Sequence, residues 1–375
     1  MSGWRPLFEG AEGQEALDVV LRIARDLARS EPDTGGLLDG GSAGQAAFFG
    51  YLARALGDTA HLDRAFEQLE RAAAVADQMP LALHDGLAGV GWAIRHLQPG
   101  ETEEDDLDGG ILTFLARTPL PYQPADLLYG DLGLAVYALE RGAAGRAALA
   151  RITERLAATA LRDAHGVFWR VYAGYVNGGV PHGVPGVVAG LAPVAGAEEL
   201  VSGAAAWLCA HRLPDGCFPG AVRDQPETPV RHGWCYGDPG VAAALYRAGR
   251  LDPDWRGIAL ERARFVGGLD LAGARLHDAS LCHGAAGVAH ILNRFHQDSG
   301  DAALGEAARA WFRRAIGMAK EGQGIGGYLF ARENDERVAD PSVLTGAAGV
   351  GLALLAAATP VAPDWDRILL LSAPE

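Results

Sequence analysis

The 375-residue chain is poor in sulfur, with four cysteines and three methionines. So few cysteines in so long a chain exclude a disulfide-built scaffold. Long apolar runs are also missing: no stretch approaches the roughly 18 residues that a membrane-spanning helix needs. The opening MSGWRPLFEGAEGQ lacks the basic-then-apolar layout of a signal peptide. There is no polybasic tail and no low-complexity tract. Basic residues number 32 against 47 acidic ones, a net charge of −15. That balance repels nucleic acid and anionic membrane surfaces, and it names no substrate. Together these absences predict a cytoplasmic protein. The 49% of hydrophobic residues is ample for a large buried core.

What the chain does have is glycine, 51 residues of it, and in a pattern. A Gly, two residues, a second Gly and an apolar run recur seven times, from Gly41, Gly86, Gly130, Gly183, Gly237, Gly284 and Gly346. The intervals are 45, 44, 53, 54, 47 and 62 residues. Such a period marks repeated supersecondary units, each long enough for two helices. Stretches such as LDVVLRIARDLARS and HLDRAFEQLERAAAVADQM have the spacing of charged amphipathic helices. The segments after each glycine pair are almost wholly apolar and so belong inside. Each unit therefore reads as an amphipathic outer helix, a glycine turn with φ > 0, and a buried inner helix. The inner helix N-termini, with unpaired N–H groups and partial positive charge, would make one mouth suited to anionic or thiolate chemistry. With all seven units in one architecture, residues 1–375 form a single domain.

Three copies carry unusual residues at the turn. RHGWCYGDPG places Cys235 just before Gly237, and LCHGAAG places Cys282 and His283 just before Gly284. Equivalent positions of adjacent repeats are neighbours in space. Two thiolates and an imidazole are preferred ligands of Zn²⁺, and three protein ligands leave a fourth position open. The alternative is a buried structural cysteine and a coincidental Cys-His pair. Cys209 reads as helix core, and Cys217 lies in a loop as a conceivable fourth ligand. His182, in VPHGVPG, is a candidate proton donor, or else a core histidine. Asp126, in PADLLYG, is a candidate acid, or else a cap. Arg231 can stabilise an oxyanion, or form a surface ion pair. His84 and His232 are weaker candidates. Asp131 and Asp238, inside their GxxG turns, are expected to bond local N–H groups.

At these residues the sequence resembles the lanthionine synthetase C family of peptide cyclases. The resemblance runs through all seven repeats and is sharpest in WCYGDPG and CHGAAG, with support from PHGVPG and DLLYG. It implies an all-α fold, an α/α toroid of seven outer and seven inner helices. It implies a zinc ion on Cys235, Cys282 and His283. His182 and Asp126 match the family's active-site His and Asp, and Arg231, Trp234 and Tyr236 match residues around its first zinc cysteine. Some members insert a small β-rich domain, for which no interval here has room. The longest interval holds only EGQGIGGYLFARENDERVADPS, read as loop.

The resemblance implies a zinc-dependent Michael-type addition of peptide Cys thiols to dehydroalanine or dehydrobutyrine, giving lanthionine or methyllanthionine rings. Zinc would lower the pKa of the substrate thiol, with Arg231 on the enolate oxygen and His182 protonating the α-carbon. Asp126 would orient His182 or take the thiol proton. A dehydrated precursor peptide, leader plus core, would be the substrate and a dehydratase a partner. Three other readings stay open. One is a related transferase that adds glutathione to dehydroamino acids. Another is a carbohydrate-active toroid using Asp126 and Asp238 as paired acids. The last is a scaffold that only binds peptide.

Overall fold

The computed structural model describes residues 3–32, 34–98, 105–116, 124–171, 174–222, 230–332 and 336–374. All seven expected inner helices are present: α2 (Ser42–Leu56), α4 (Leu87–Leu97), α6 (Asp131–Glu140), α8 (Val184–Leu191), α10 (Asp238–Ala248), α13 (Ala285–Ser299) and α15 (Ala347–Ala358). The first glycine of each repeat is the residue that caps its inner helix. Among the described residues seven outer helices accompany them: α1 (Gly10–Leu27), α3 (Thr59–Ala74), α5 (Asp105–Leu115), α7 (Arg146–Thr159), α9 (Glu198–Ala210), α11 (Pro253–Gly267) and α14 (Ala302–Gly317). A one-turn helix, α12, spans Leu271–Ala274.

The apolar patterns explain which helices go inside. All eight residues of α8 and eleven of the twelve in α15 are buried, so these helices have no solvent face. On α1 only Ala16, Val19, Val20, Ile23, Ala24, Leu27 and Gly13 are buried, a single stripe at helical spacing.

The chain divides into two compact units, Met1–Pro80 with Arg264–Trp365, and Leu81–Ala263 with Asp366–Glu375. In the first unit α13, α15 and α2 pack in succession, so the first and seventh inner helices are neighbours. The N-terminal α1 packs on α15, and the backbone N–H groups of Leu7 and Phe8 both donate to the Ala357 carbonyl. In the second unit α4, α6, α8 and α10 pack in succession.

One expectation about the repeat is reversed. In four repeats the inner helix packs on the outer helix that follows it: α2 on α3, α6 on α7, α8 on α9 and α13 on α14. Connection length is the reason. Only Gly57 and Asp58 join α2 to α3, and only Gly300 and Asp301 join α13 to α14. In each case the glycine takes the left-handed conformation, with φ 67° and 72°, and the aspartate caps the next helix. Such short links force antiparallel helix hairpins. The first outer helix, left over by this pairing, serves the last inner one.

Among the described residues strand is confined to three antiparallel pairs: β1 (Leu161–Asp163) with β2 (Gly166–Phe168), β3 (Val176–Asn177) with β4 (Ala221–Val222), and β5 (Phe330–Ala331) with β6 (Arg337–Val338). The last pair lies in the long interval read as loop, of which residues 333–335 fall outside the described residues. Among the described residues no helix is long and apolar enough to cross a membrane.

Candidate metal centre

The loop ahead of each inner helix folds back over that helix's first turn. The amides of Ala285, Ala286 and Gly287 donate to the carbonyls of Asp278, Ala279 and Ser280. In the first copy Ser42, Ala43 and Gly44 donate likewise to Thr34, Gly35 and Gly36. The expectation of unpaired amides facing a mouth is therefore corrected: in these copies the loop itself satisfies them. The glycines serve close approach more than positive φ. A Cβ at Gly133, Gly186, Gly240, Gly287 or Gly349 would lie 1.9–2.3 Å from a loop carbonyl oxygen. Of the seven capping glycines only Gly237, φ 86°, is left-handed.

Successive loops are tied in register. In the second unit Leu83 donates to the Leu128 carbonyl, Leu127 to Pro181 and Val180 to Cys235. In the first, Cys282 donates to Leu344 and Leu344 to Leu38. Cys235 and Cys282 each stand two residues before the capping glycine, whereas His182 and His283 each stand one before it. His182 thus corresponds in its repeat to His283.

Both metal-type loops are rigidly built. Cys235 and Cys282 are each 7% exposed. In the Cys235 loop Gly233 donates to the Tyr236 carbonyl, Trp234 donates its indole N–H to the Leu369 carbonyl at 2.8 Å, and the Tyr236 hydroxyl accepts from Asn177 at 3.1 Å. In the other, the buried Asp278 carboxylate accepts from the Ser280 amide and hydroxyl at 2.9 and 2.8 Å, and the Ser280 oxygen accepts from the His283 amide at 3.4 Å. Sequence reasoning missed Asp278 and Ser280. The signal was there: the same Asp-x-Ser, four residues before the capping glycine, recurs as Asp340 and Ser342, with the same turn.

Cys235, Cys282 and His283 form a group able to hold a metal ion, their ligand atoms within 4.8 Å of one another. Two soft thiol donors and an imidazole fit zinc by donor type. Cys209 and Cys217 are outside this group. Burial pushes the Cys217 thiol up to about 12 and the Cys209 thiol up to about 11, so neither is poised as a thiolate. Cys217 instead accepts from Arg262 at 3.2 Å.

The other expected residues fall into separate environments. The Asp126 carboxylate accepts from the His182 Nδ1 at 2.7 Å through one oxygen, and from the Leu128 and Tyr129 amides at 2.8 and 2.9 Å through the other. The His182 side chain is 34% exposed. Arg231 is exposed. Trp234 is buried and directed to the C-terminal segment. His84 stands beside the Tyr129 ring, and the buried His232 lies 3.9 Å from Asp238.

Asp131 and Asp238 do not serve mainly local N–H groups, as their turn positions suggested. Asp131 is fully buried against Arg155 at 2.7 Å, and Asp238 against Arg262 at 2.7 and 2.9 Å. The two arginines come from the following outer helices, each 24 residues downstream. Asp238 is thereby unavailable as a second acid for glycoside chemistry.

A mainly helical array of hairpins with a two-thiol, one-imidazole group at its glycine turns defines a helical protein with residues able to hold a metal ion. The family model described as "Lanthionine synthetase C-like protein" matches residues 33–370, and the chain belongs to that family. Among solved structures it is similar to "Nisin cyclase", with a TM-score of 0.73 at 13% identity over 96% of this chain and 97% of that one. The expected fold class, an α/α toroid, is the fold of this match. No curated protein matches the chain by sequence.

Proposed function

We propose that the protein is a lanthipeptide cyclase, which adds cysteine thiols of a dehydrated peptide to dehydroalanine or dehydrobutyrine in the same peptide. The observation that carries this reading is the Cys235, Cys282 and His283 group in a chain of the lanthionine synthetase C-like family. These three residues would hold zinc. When bound, zinc supplies Lewis acidity that keeps a peptide thiol as thiolate near neutral pH.

The protein's own residues then account for the protons. A carboxylate can only accept, so the Asp126 contact supports the His182 tautomer with its proton on Nδ1. Nε2 is left as the atom that exchanges protons. Attack of sulfur on the alkene β-carbon forms the C–S bond and moves the alkene pair into an enolate. Nε2 takes the thiol proton and returns it to the α-carbon, so the addition is neutral in protons. Arg231, exposed and charged, is the candidate donor to the enolate oxygen. Asp126, with both oxygens engaged, orients His182. Tyr236, fixed by Asn177, and Trp234 position the Cys235 loop. A dehydratase that supplies the dehydrated precursor would act beforehand.

The test is incubation with a dehydrated, cysteine-containing precursor peptide. Cyclisation leaves mass unchanged but removes alkylatable thiols, so the product is read by mass after alkylation. Wild type should consume thiols, and Cys235→Ala and Cys282→Ala should lose both zinc and this activity. Full zinc content in the folded variants sinks the assignment. In a parallel incubation with added glutathione, a mass gain of one glutathione in place of ring closure would make the protein a transferase.

A further inference from the structure

We propose that residues 366–372 act as a strap that positions Cys235, with Trp234 as the link. The proposal rests on the reading of Cys235 as a metal ligand given above. The strap is anchored at the C-terminal ends of two inner helices. Arg367 pairs with both oxygens of Glu140 on α6 at 3.0 and 3.2 Å, and Glu140 also meets His96 of α4 at 2.9 Å. Trp92 stacks on His96 with ring centroids 4.3 Å apart. Both Glu140 and His96 are buried, so this is an interior anchor rather than a surface ion pair.

From Arg367 the chain makes a tight hook. Leu370 donates back to the Arg367 carbonyl and Leu371 to the Asp366 carbonyl, while Ser372 bonds the buried Asp366 carboxylate. Leu370 is held at φ 58°, a left-handed conformation that a branched side chain resists, and it is 2% exposed. The hook aims the Leu369 carbonyl at the buried indole of Trp234, whose N–H donates to it at 2.8 Å. Trp234 immediately precedes Cys235. Its indole bond and the Val180 bond to the Cys235 carbonyl fix the loop on both sides of the peptide carrying the thiol. A terminal segment distant in sequence thus sets where one ligand stands. Trp234 and Arg367 are positioning residues that act through Cys235.

Trp234→Phe keeps an aromatic ring and removes only the N–H donor. Trp169→Phe is the matched control, because Trp169 is a buried indole that donates to the Leu156 carbonyl at 3.0 Å in a different part of the second unit. Zinc affinity is read by chelator competition, and thiol access by the alkylation rate of Cys235 and Cys282 in metal-free protein. Trp234→Phe should weaken zinc about ten-fold, the range seen when a residue supporting a ligand is lost. It should also speed labelling of Cys235 several-fold relative to Cys282. Trp169→Phe should lower the melting temperature and leave both readouts unchanged. Arg367→Gln, which releases the strap without touching the tryptophan, should reproduce the Trp234→Phe pattern. If Trp234→Phe and Arg367→Gln alter stability alone, or Trp169→Phe shifts the same readouts equally, the strap proposal is overturned. A wild type that binds no zinc overturns the metal reading, while the Cys235 labelling pattern still decides whether the strap positions the loop.

Discussion

Replacing Gly287 with alanine tests whether the repeat's second glycine is there for close approach. The added Cβ would stand 1.9 Å from the Leu281 carbonyl oxygen and 2.8 Å from its carbon. Real Cβ contacts essentially never fall below 3.0 Å, so the loop backbone would have to withdraw by about 1 Å. The obstacle is backbone, one residue before Cys282, and it has no rotamer to change. Alanine gains about 1 kcal/mol over glycine in helix propensity. Forcing atoms into a filled space costs about 1–3 kcal/mol, with the upper part of that range expected for a rigid neighbour. The net expectation is a loss of about 2 kcal/mol. Gly257 supplies the opposite case, an exposed glycine inside α11 where a new Cβ meets nothing within 4 Å. Gly257→Ala should stabilise by about 0.5–1 kcal/mol. Urea titration separates the two through midpoints at constant slope. If Gly287→Ala is neutral, or shifts in the same direction as Gly257→Ala, the close-approach argument is wrong.

Three further outcomes follow from the same geometry. Asp126→Asn keeps one oxygen for the Leu128 and Tyr129 amides and turns an NH2 donor toward His182 Nδ1, so ring formation should fall by about 10²-fold or more while zinc content stays at wild-type level; unchanged turnover would remove Asp126 from the mechanism. Arg262→Met leaves the fully buried Asp238 without its cation and should cost about 3–5 kcal/mol in urea unfolding, much of it recovered when Asp238→Leu is added; equal losses in the single and double variants would refute this. Burial would by itself raise the Glu140 carboxyl, but His96 and Arg367 override it and hold it below its ordinary 4.5. The stabilisation from this group is complete above about pH 4.5 and lost as pH falls through the lower folded value. Glu140→Gln should therefore lower stability at neutral pH and flatten the acid limb of the melting profile, and a parallel profile would count against the anchor.

The sequence by itself determined where each repeat starts, because that information is local. A glycine cap, a close-approach glycine three residues on and an unbroken apolar run sit within one short stretch, and all seven first glycines cap their helices as expected. The same holds for the Gly-Asp links at residues 57–58 and 300–301, whose two residues contain both the left-handed exit and the N-cap. Register along the repeat also brought Cys235, Cys282 and His283 forward as one set. Only the tertiary structure decided which helix pairs with which, since amphipathic faces say that a helix has a partner and not which one. It alone gave Asp131 and Asp238 their arginines, because a buried carboxylate is satisfied by whatever cation packing delivers, here 24 residues downstream on another helix. It alone put the first-turn amides of α2 and α13 under their own loops. And it joined Trp234 to a carbonyl 135 residues away, a contact that leaves no periodic trace in the sequence because a backbone carbonyl is present at every residue and only the folded path of the chain selects Leu369.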